Sequence, residues 1–296
     1  MKLIIAGASH LSKLTNALEN SDLINLPQFS IEDSERIPAE FKDIKDLSKQ
    51  FSTFDPYEPV MKDVAAYIFT SGTTGLPKAA LVDHAKLVKG SFAGHFLCFN
   101  FKTKDRLYMT LPLYHSTGLV LGWAASLRSG CANIIKPKFS ASEFWSDVKK
   151  YKANKFIYVG ELCRYLMNLP ASETDKSNSI VQISGNGLRP DIWDSFQKRF
   201  NIKKIVEIYG ATVAVGMTVN SFGRSGMIGR KRSDSTIIHC NKDDGSPILN
   251  EQGYCTKISV GETGLYIQKI SSSAKFQGYL DAQASNKKIL QNVFNE

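Results

Sequence analysis

The chain has 296 residues, a 43% hydrophobic share and a formal charge of +9. That is enough apolar material for a packed core and about two domains, which excludes a disordered or fibrous protein. The five cysteines, Cys98, Cys131, Cys163, Cys240 and Cys255, are odd in number and form no close pair, which fits a reducing compartment better than a disulfide framework.

The five histidines show no metal-ligand spacing. Basic residues are dispersed, and the densest groups, Lys149-Lys150 and Arg230-Lys231-Arg232, lack interleaved aromatics. Nucleic acid is therefore not an expected partner, and solvated faces come first, with attraction to an anionic membrane surface as the alternative.

In chain order, residues 3–6 read as a strand, far too short for a signal peptide. The remainder of 1–57 is polar and irregular, punctuated by Pro27, Pro38, Pro56 and, just beyond, Pro59. From Val64 the pattern becomes regular. An apolar run over 64–69 opens into the loop Thr70-Ser71-Gly72-Thr73-Thr74-Gly75-Leu76-Pro77-Lys78, and a second run over 79–82 leads into a helical stretch reaching about Phe99.

The loop has the composition of a phosphate cradle. Gly72 and Gly75 allow consecutive amide N–H groups to converge on an anion, the neighbouring hydroxyls add donors, and Lys78 supplies charge. Pro77 fixes φ just before that lysine. The spacing differs from the common nucleotide loop, in which Gly-Lys-Ser/Thr follows an earlier glycine by four residues. The alternative is a ligand-free Ser/Thr/Gly turn, but the whole string favours a ligand.

Residues 117–127 are apolar over about half the length of a spanning helix and contain Gly118 and Gly122, so no transmembrane segment is expected. Ser140 with Glu143 signals a helix start, followed by Phe144, Val148 and Tyr151 at helical spacing. Residues 155–159 read as a strand, 161–169 as a helix and 180–183 as a strand. Pro190 then opens a helix with the stripe Ile192, Trp193, Phe196 and Phe200, and 205–209 form the next strand. Trp145, Trp193 and Phe196 are read as core.

The alternation implies an α/β fold, a parallel sheet flanked by helices, with ligands beyond the carboxyl ends of its strands. The turns Gly185-Asn186-Gly187 and Tyr209-Gly210-Ala211-Thr212 fall there. Beyond about Ser221, short alternating runs over 236–240, 254–260 and 264–270 predict a small C-terminal β subdomain.

The string 67–78 resembles the signature loop of the adenylate-forming (AMP-binding) superfamily. Leu111-Pro112-Leu113-Tyr114-His115-Ser116-Thr117-Gly118 resembles its second motif and Tyr209-Gly210-Ala211-Thr212 the start of its third. The blocks at 138–145, 160–166 and 185–191 resemble one branch, the fatty acid transport proteins or very-long-chain acyl-CoA synthetases, of fungal flavour. The resemblance runs from about Asp63 to the end. It divides the chain into an incomplete N-terminal segment (1–57), an AMP-binding core (58–221), the β subdomain (222–282) and a truncated tail (283–296).

The resemblance implies an ATP-dependent long-chain or very-long-chain fatty acid–CoA ligase, with ATP, CoA and Mg²⁺ as its small molecules and activation coupled to fatty acid uptake. It implies that Thr70, Ser71, Gly72, Thr73, Thr74, Gly75 and Lys78 contact phosphates. Gly185, Asn186 and Gly187 would line the adenine pocket, with Tyr209, Gly210 and Ala211 beside the nucleotide. Thr212 would reach the α-phosphate and His115 would sit near the acyl carboxylate. A lone His in such a turn is also a common structural hydrogen-bonder, and Tyr209 also suits a core strand end.

Branch members sit at endoplasmic reticulum, peroxisome, lipid droplet or plasma membrane, usually behind an amino-terminal membrane segment that the matched region lacks. Val213 stands where the family has a Mg²⁺-binding glutamate, and valine supplies no oxygen ligand. No Gly-Asp pair occurs in the chain, whereas the family presents a Thr-Gly-Asp-type motif beyond the matched region. The resemblance thus implies impaired chemistry, and the alternatives are a non-catalytic nucleotide- or acyl-binding module or a decayed or misbounded gene product.

Overall fold

The computed structural model describes residues 3–19, 21–33, 36–39, 41–50, 55–70, 76–272 and 274–295. It divides into two units, Met1–Glu58 and Pro59–Glu296.

In the first unit β1 (Ile4–Gly7), β2 (Gln28–Ile31) and β3 (Lys42–Asp43) form a parallel three-stranded sheet. α1 (Leu11–Leu18) buries Leu11 and Leu18, and the short α2 (Ile44–Ser48) is capped by Asp43. The polar sequence after the first strand predicted irregular chain here. It folds because Ser30 is fully buried and donates to the Ala6 carbonyl at 3.1 Å, so a polar residue takes an inward position at no hydrogen-bond loss.

In the second unit β4 (Val64–Thr70) and β5 (Lys78–Asp83) pair as an antiparallel hairpin. Residues 277–280 add to its outer edge: Leu81 N donates to the Gly278 carbonyl at 3.0 Å and Leu280 N to the Ala79 carbonyl at 2.8 Å. Asp83 caps α3 (His84–Ala93), accepting from Lys86 N at 2.6 Å. The helix runs on as a π-helical turn, Gly94–Phe99, and stops where Asn100 turns left-handed with φ 48°.

The main sheet contains β6 (Arg106–Met109), β7 (Ala132–Ile135), β8 (Lys155–Val159), β9 (Gln182–Asn186), β10 (Lys204–Tyr209) and β11 (Thr218–Asn220). Their order is β11-β10-β9-β8-β6-β7, parallel throughout except for the antiparallel β10–β11 edge. Between β6 and β7 the chain passes through a second π-helical segment, Thr117–Ala124, and α4 (Ala125–Ser129).

Three helices follow β7 in alternation with the strands: α5 (Ala141–Tyr151), α6 (Gly160–Met167) and α7 (Pro190–Arg199). Ser140 caps α5 by accepting from Glu143 N at 3.4 Å, and Pro190 takes the first turn of α7, where a missing N–H costs nothing. The last described elements are the antiparallel pair β12 (Ser235–Ile238) and β13 (Leu265–Gln268), with isolated bridges such as Ile238 to Lys257, and α8 (Ala282–Asn286). The run over 254–260 makes bridges rather than a strand.

The core lies between the sheet and its helices. Phe156 from β8 is fully buried, with ring centroids 4.8 Å from Phe144 of α5 and 6.1 Å from Tyr108 of β6. Trp193 and Phe196 are buried in the same core and Trp145 packs against it, 4.7 Å from Phe200. Edge-to-face aromatic contacts of this kind add to the free energy of burial. Phe156→Ala should destabilise the second unit by about 3–5 kcal/mol, read as a lowered urea midpoint at unchanged slope.

Candidate functional site

The site is built at the carboxyl ends of the parallel strands. The register pairs Val159 with Asn186 and Glu207 with Gly185, so the turns that leave β8, β9 and β10 emerge side by side.

The turn after β9 is held from behind by a carboxylate. Glu207, on β10 and 2% exposed, accepts from the Tyr158 hydroxyl, from Gly187 N and from Leu188 N, the last at 3.2 Å. Burial pushes the Glu207 carboxyl above its ordinary range, an effect opposed by these three donors, and burial drives the Tyr158 phenol well above its own. Gly187 adopts φ +81°, which favours glycine, and a Cβ on Gly160 would collide with the Gly187 carbonyl. A side chain on Gly185 would likewise strike the Tyr158 carbonyl. Gly185, Asn186 and Gly187 are therefore fixed by packing at the sheet end, where Gly185 is buried, Asn186 half-buried and Gly187 exposed.

The second and third motifs meet. Ser116 Oγ and Thr212 Oγ1 are 3.1 Å apart. His115 is exposed; its amide donates to the Pro112 carbonyl at 3.1 Å and its Nδ1 accepts from Thr117 N at 3.3 Å, so it organises the start of the helical segment that follows. Tyr209 is 48% exposed at the end of β10, its ring edge-on to Tyr266 at 6.1 Å. It is therefore not a core aromatic. Gly210 and Ala211 are exposed beside it, and a Cβ at Gly210 would come within 3.0 Å of the Met217 side chain.

Thr70 and Lys78 form the last pair of the hairpin, with the Thr70 hydroxyl donating to the Lys78 carbonyl at 3.3 Å. The loop residues between them, Ser71, Gly72, Thr73, Thr74 and Gly75, lie outside the described residues. A surface hollow of about 570 Å³ borders the hairpin tip, lined by Phe69, Leu76, Lys78, Leu280 and Asp281 among others.

Two residues that motif reading did not single out hold the site together. One is Glu207. The other is Lys86 of α3, whose ammonium donates to the Thr212 carbonyl and, at 3.2 Å, to the Ala214 carbonyl. Burial lowers its pKa to about 8, partly offset by the Asp83 carboxylate. The only hint in the sequence was a cation one helical turn inside an Asp cap.

The surroundings of Val213 do not fit magnesium. The side chain is 8% exposed and apolar, and the carbonyls on either side are occupied by the Lys86 ammonium. Among the described residues no group of three or more His, Cys, Asp or Glu is placed to hold a metal ion.

Residues 1–257 match the AMP-binding enzyme family, a match that starts well before the motif-based resemblance at Asp63. The chain is 41% identical over 239 residues to long-chain fatty acid transport protein 3 of Mus musculus, covering 78% of this chain and 36% of that protein. It is 34% identical over 267 residues to the medium/long-chain-fatty-acid–CoA ligase FadD6 of Mycobacterium tuberculosis, covering 88% of this chain and 45% of that protein.

The chain thus spans less than half the length of these relatives. The crystal structure of ATP-bound MatB from Rhodopseudomonas palustris superposes with a TM-score of 0.77 at 19% identity, over 99% of this chain and 55% of that one. The fold is shared.

Glu207→Ala leaves three donors without their acceptor and should cost about 3 kcal/mol of stability, measured by urea unfolding. Burial holds the Lys86 pKa at about 8 against its ordinary 10.5, so the contribution of this depressed group to stability is present above the unfolded value and lost as pH falls through about 8. Relative to Lys86→Met, wild-type stability should therefore rise by up to about 3 kcal/mol between pH 8 and 10.5, read from paired urea titrations.

Proposed function

Because this chain belongs to the AMP-binding enzyme family, we propose that it is a partial adenylation core of an ATP-dependent long-chain or very-long-chain fatty acid–CoA ligase. Its place is in the fatty acid transport branch, where activation is coupled to uptake. The observation that carries the reading is the 3.1 Å meeting of Ser116 and Thr212. It brings the second and third motifs together at the sheet end where the Gly185-Asn186-Gly187 turn also opens.

In this reading a fatty carboxylate attacks the α-phosphate of ATP and pyrophosphate leaves; the CoA thiol then attacks the carbonyl of the acyl adenylate, the acyl–phosphate bond breaks and AMP leaves. The Thr70–Lys78 hairpin tip, with Ser71, Gly72, Thr73, Thr74 and Gly75, wraps the β- and γ-phosphates, and the Lys78 ammonium balances their charge. Gly185, Asn186 and Gly187 line the adenine, which Tyr209 covers with its exposed ring while Gly210 and Ala211 leave room for the ribose side. The Thr212 hydroxyl donates to the α-phosphate, and His115 faces the incoming carboxylate. Magnesium, where family members use it, neutralises the phosphates; no step here is assigned to it.

Val213 and its surroundings support impaired adenylation in this chain, since losing even an outer-shell partner of a metal costs about 10- to 100-fold. The same observation favours a second reading, a nucleotide- or acyl-binding module without turnover. No helix among the described residues is long and apolar enough to cross a membrane, and the +9 charge supports peripheral contact with an anionic membrane. Endoplasmic reticulum, peroxisome, lipid droplet and plasma membrane all fit the branch.

Fatty-acid-dependent ATP–pyrophosphate exchange separates the readings. The expected outcome is weak exchange abolished by Lys78→Ala, with Thr212→Ala lowering it by about tenfold or more. Exchange indifferent to both substitutions removes the ligase reading, and ATP binding without exchange selects the module.

A further inference from the structure

We propose that the Lys86 ammonium stands in for a metal ion at the third-motif turn, so that this chain binds a nucleoside polyphosphate without a divalent cation. The inference rests on the nucleotide-binding reading above. Lys86 donates to the carbonyls of Thr212 and Ala214, the two residues that flank Val213. It thereby spans the position at which an oxygen-bearing side chain would be needed to hold a metal, and the residue actually present is a buried valine.

A divalent cation entering here meets a like charge, two carbonyls already engaged, and no carboxylate on the turn. A polyphosphate meets the opposite situation. An ammonium carries three donors, of which two go to the carbonyls of Thr212 and Ala214, and what it offers a polyphosphate is its positive charge at this turn. The charge persists at neutral pH, because burial lowers the pKa only to about 8. Asp83, the charged group opposing it, is committed to capping the helix through Lys86 N at 2.6 Å; the facing turn, Thr212, Val213 and Ala214, contributes nothing that ionises.

The same lysine also acts on Thr212 through its backbone. Its grip on the Thr212 carbonyl sets the orientation of a residue whose hydroxyl sits 3.1 Å from Ser116 Oγ. α3 also begins where β5 ends, so the hairpin that carries the phosphate loop is joined to the third-motif turn through one helix. Lys86 is a positioning residue that also contributes its own charge.

The experiment is calorimetric titration of the intact chain with ATP at pH 7, once in excess EDTA and once in excess Mg²⁺, for the wild type, Lys86→Gln and Lys86→Arg. Urea midpoints confirm that each variant is folded. The wild type should bind with affinities that agree within about twofold in the two buffers. Lys86→Gln, which keeps donors but loses charge, should weaken binding by about tenfold or more, and Lys86→Arg should recover most of it. Wild-type binding that requires Mg²⁺, or a Lys86→Gln affinity equal to wild type, overturns the inference while leaving the nucleotide reading intact. Absence of ATP binding in both buffers overturns the nucleotide reading and this inference together.

Discussion

A buried carboxylate on β10, one strand in from the edge of the main sheet, governs how the strand ends are presented. Glu207 takes three donors from two neighbouring strand ends, Tyr158 on β8 and the Gly187-Leu188 turn after β9. It is nearly inaccessible to solvent, so burial raises its pKa and those hydrogen bonds offset only part of the cost of burying its charge. A slip of the turn would remove that partial compensation. The close approach of Gly160 to Gly187 leaves no room for a side chain at Gly160.

A second clamp works at right angles to the first in chemical character, a cation gripping carbonyls instead of an anion gripping amides. Lys86 reaches from α3 across 126 and 128 positions of sequence to the turn after β10. Between them the two clamps fix the turns after β9 and β10, and the Ser116 to Thr212 hydroxyl contact ties in the loop after β6. Each clamp pairs an ionisable group with neutral partners, the Tyr158 hydroxyl and backbone amides for Glu207 and backbone carbonyls for Lys86, so neither depends on surface ion pairs that salt would screen.

Much of the scaffold was legible in the sequence because the relevant signals are local. Ser140 and Glu143 mark a helix start by side chain and amide three residues apart, and Pro190 followed by Trp193 and Phe196 marks another by geometry confined to two turns. Strands β6 and β7 escaped notice because four-residue runs such as Arg106–Met109 and Ala132–Ile135 are too short to show a period. β2 and β3 were missed for the same reason. In the site, the motif residues announced themselves by composition, whereas Glu207 and Lys86 did not. Their importance comes from partners distant in sequence, and no window of residues contains both ends of such a contact. Val213 was visible as a departure from the family pattern; the lysine that surrounds it with charge was not.

The late segment that lines the hairpin has a consequence for how the molecule is made. Leu81 and Ala79 bond to Gly278 and Leu280, and Asp83 N reaches the Gln277 side chain 194 positions away at 3.4 Å. During synthesis the hairpin emerges from the ribosome well before residues 277–280, with Asp83 and Gln277 194 positions apart, and waits with one edge unpaired until that segment arrives. Contacts of such separation are slow to form and leave strand edges open to other chains meanwhile. The interval between translating β5 and translating residue 280 is therefore when a nascent chain is most exposed to misassembly, and when a chaperone that covers free strand edges has most to protect.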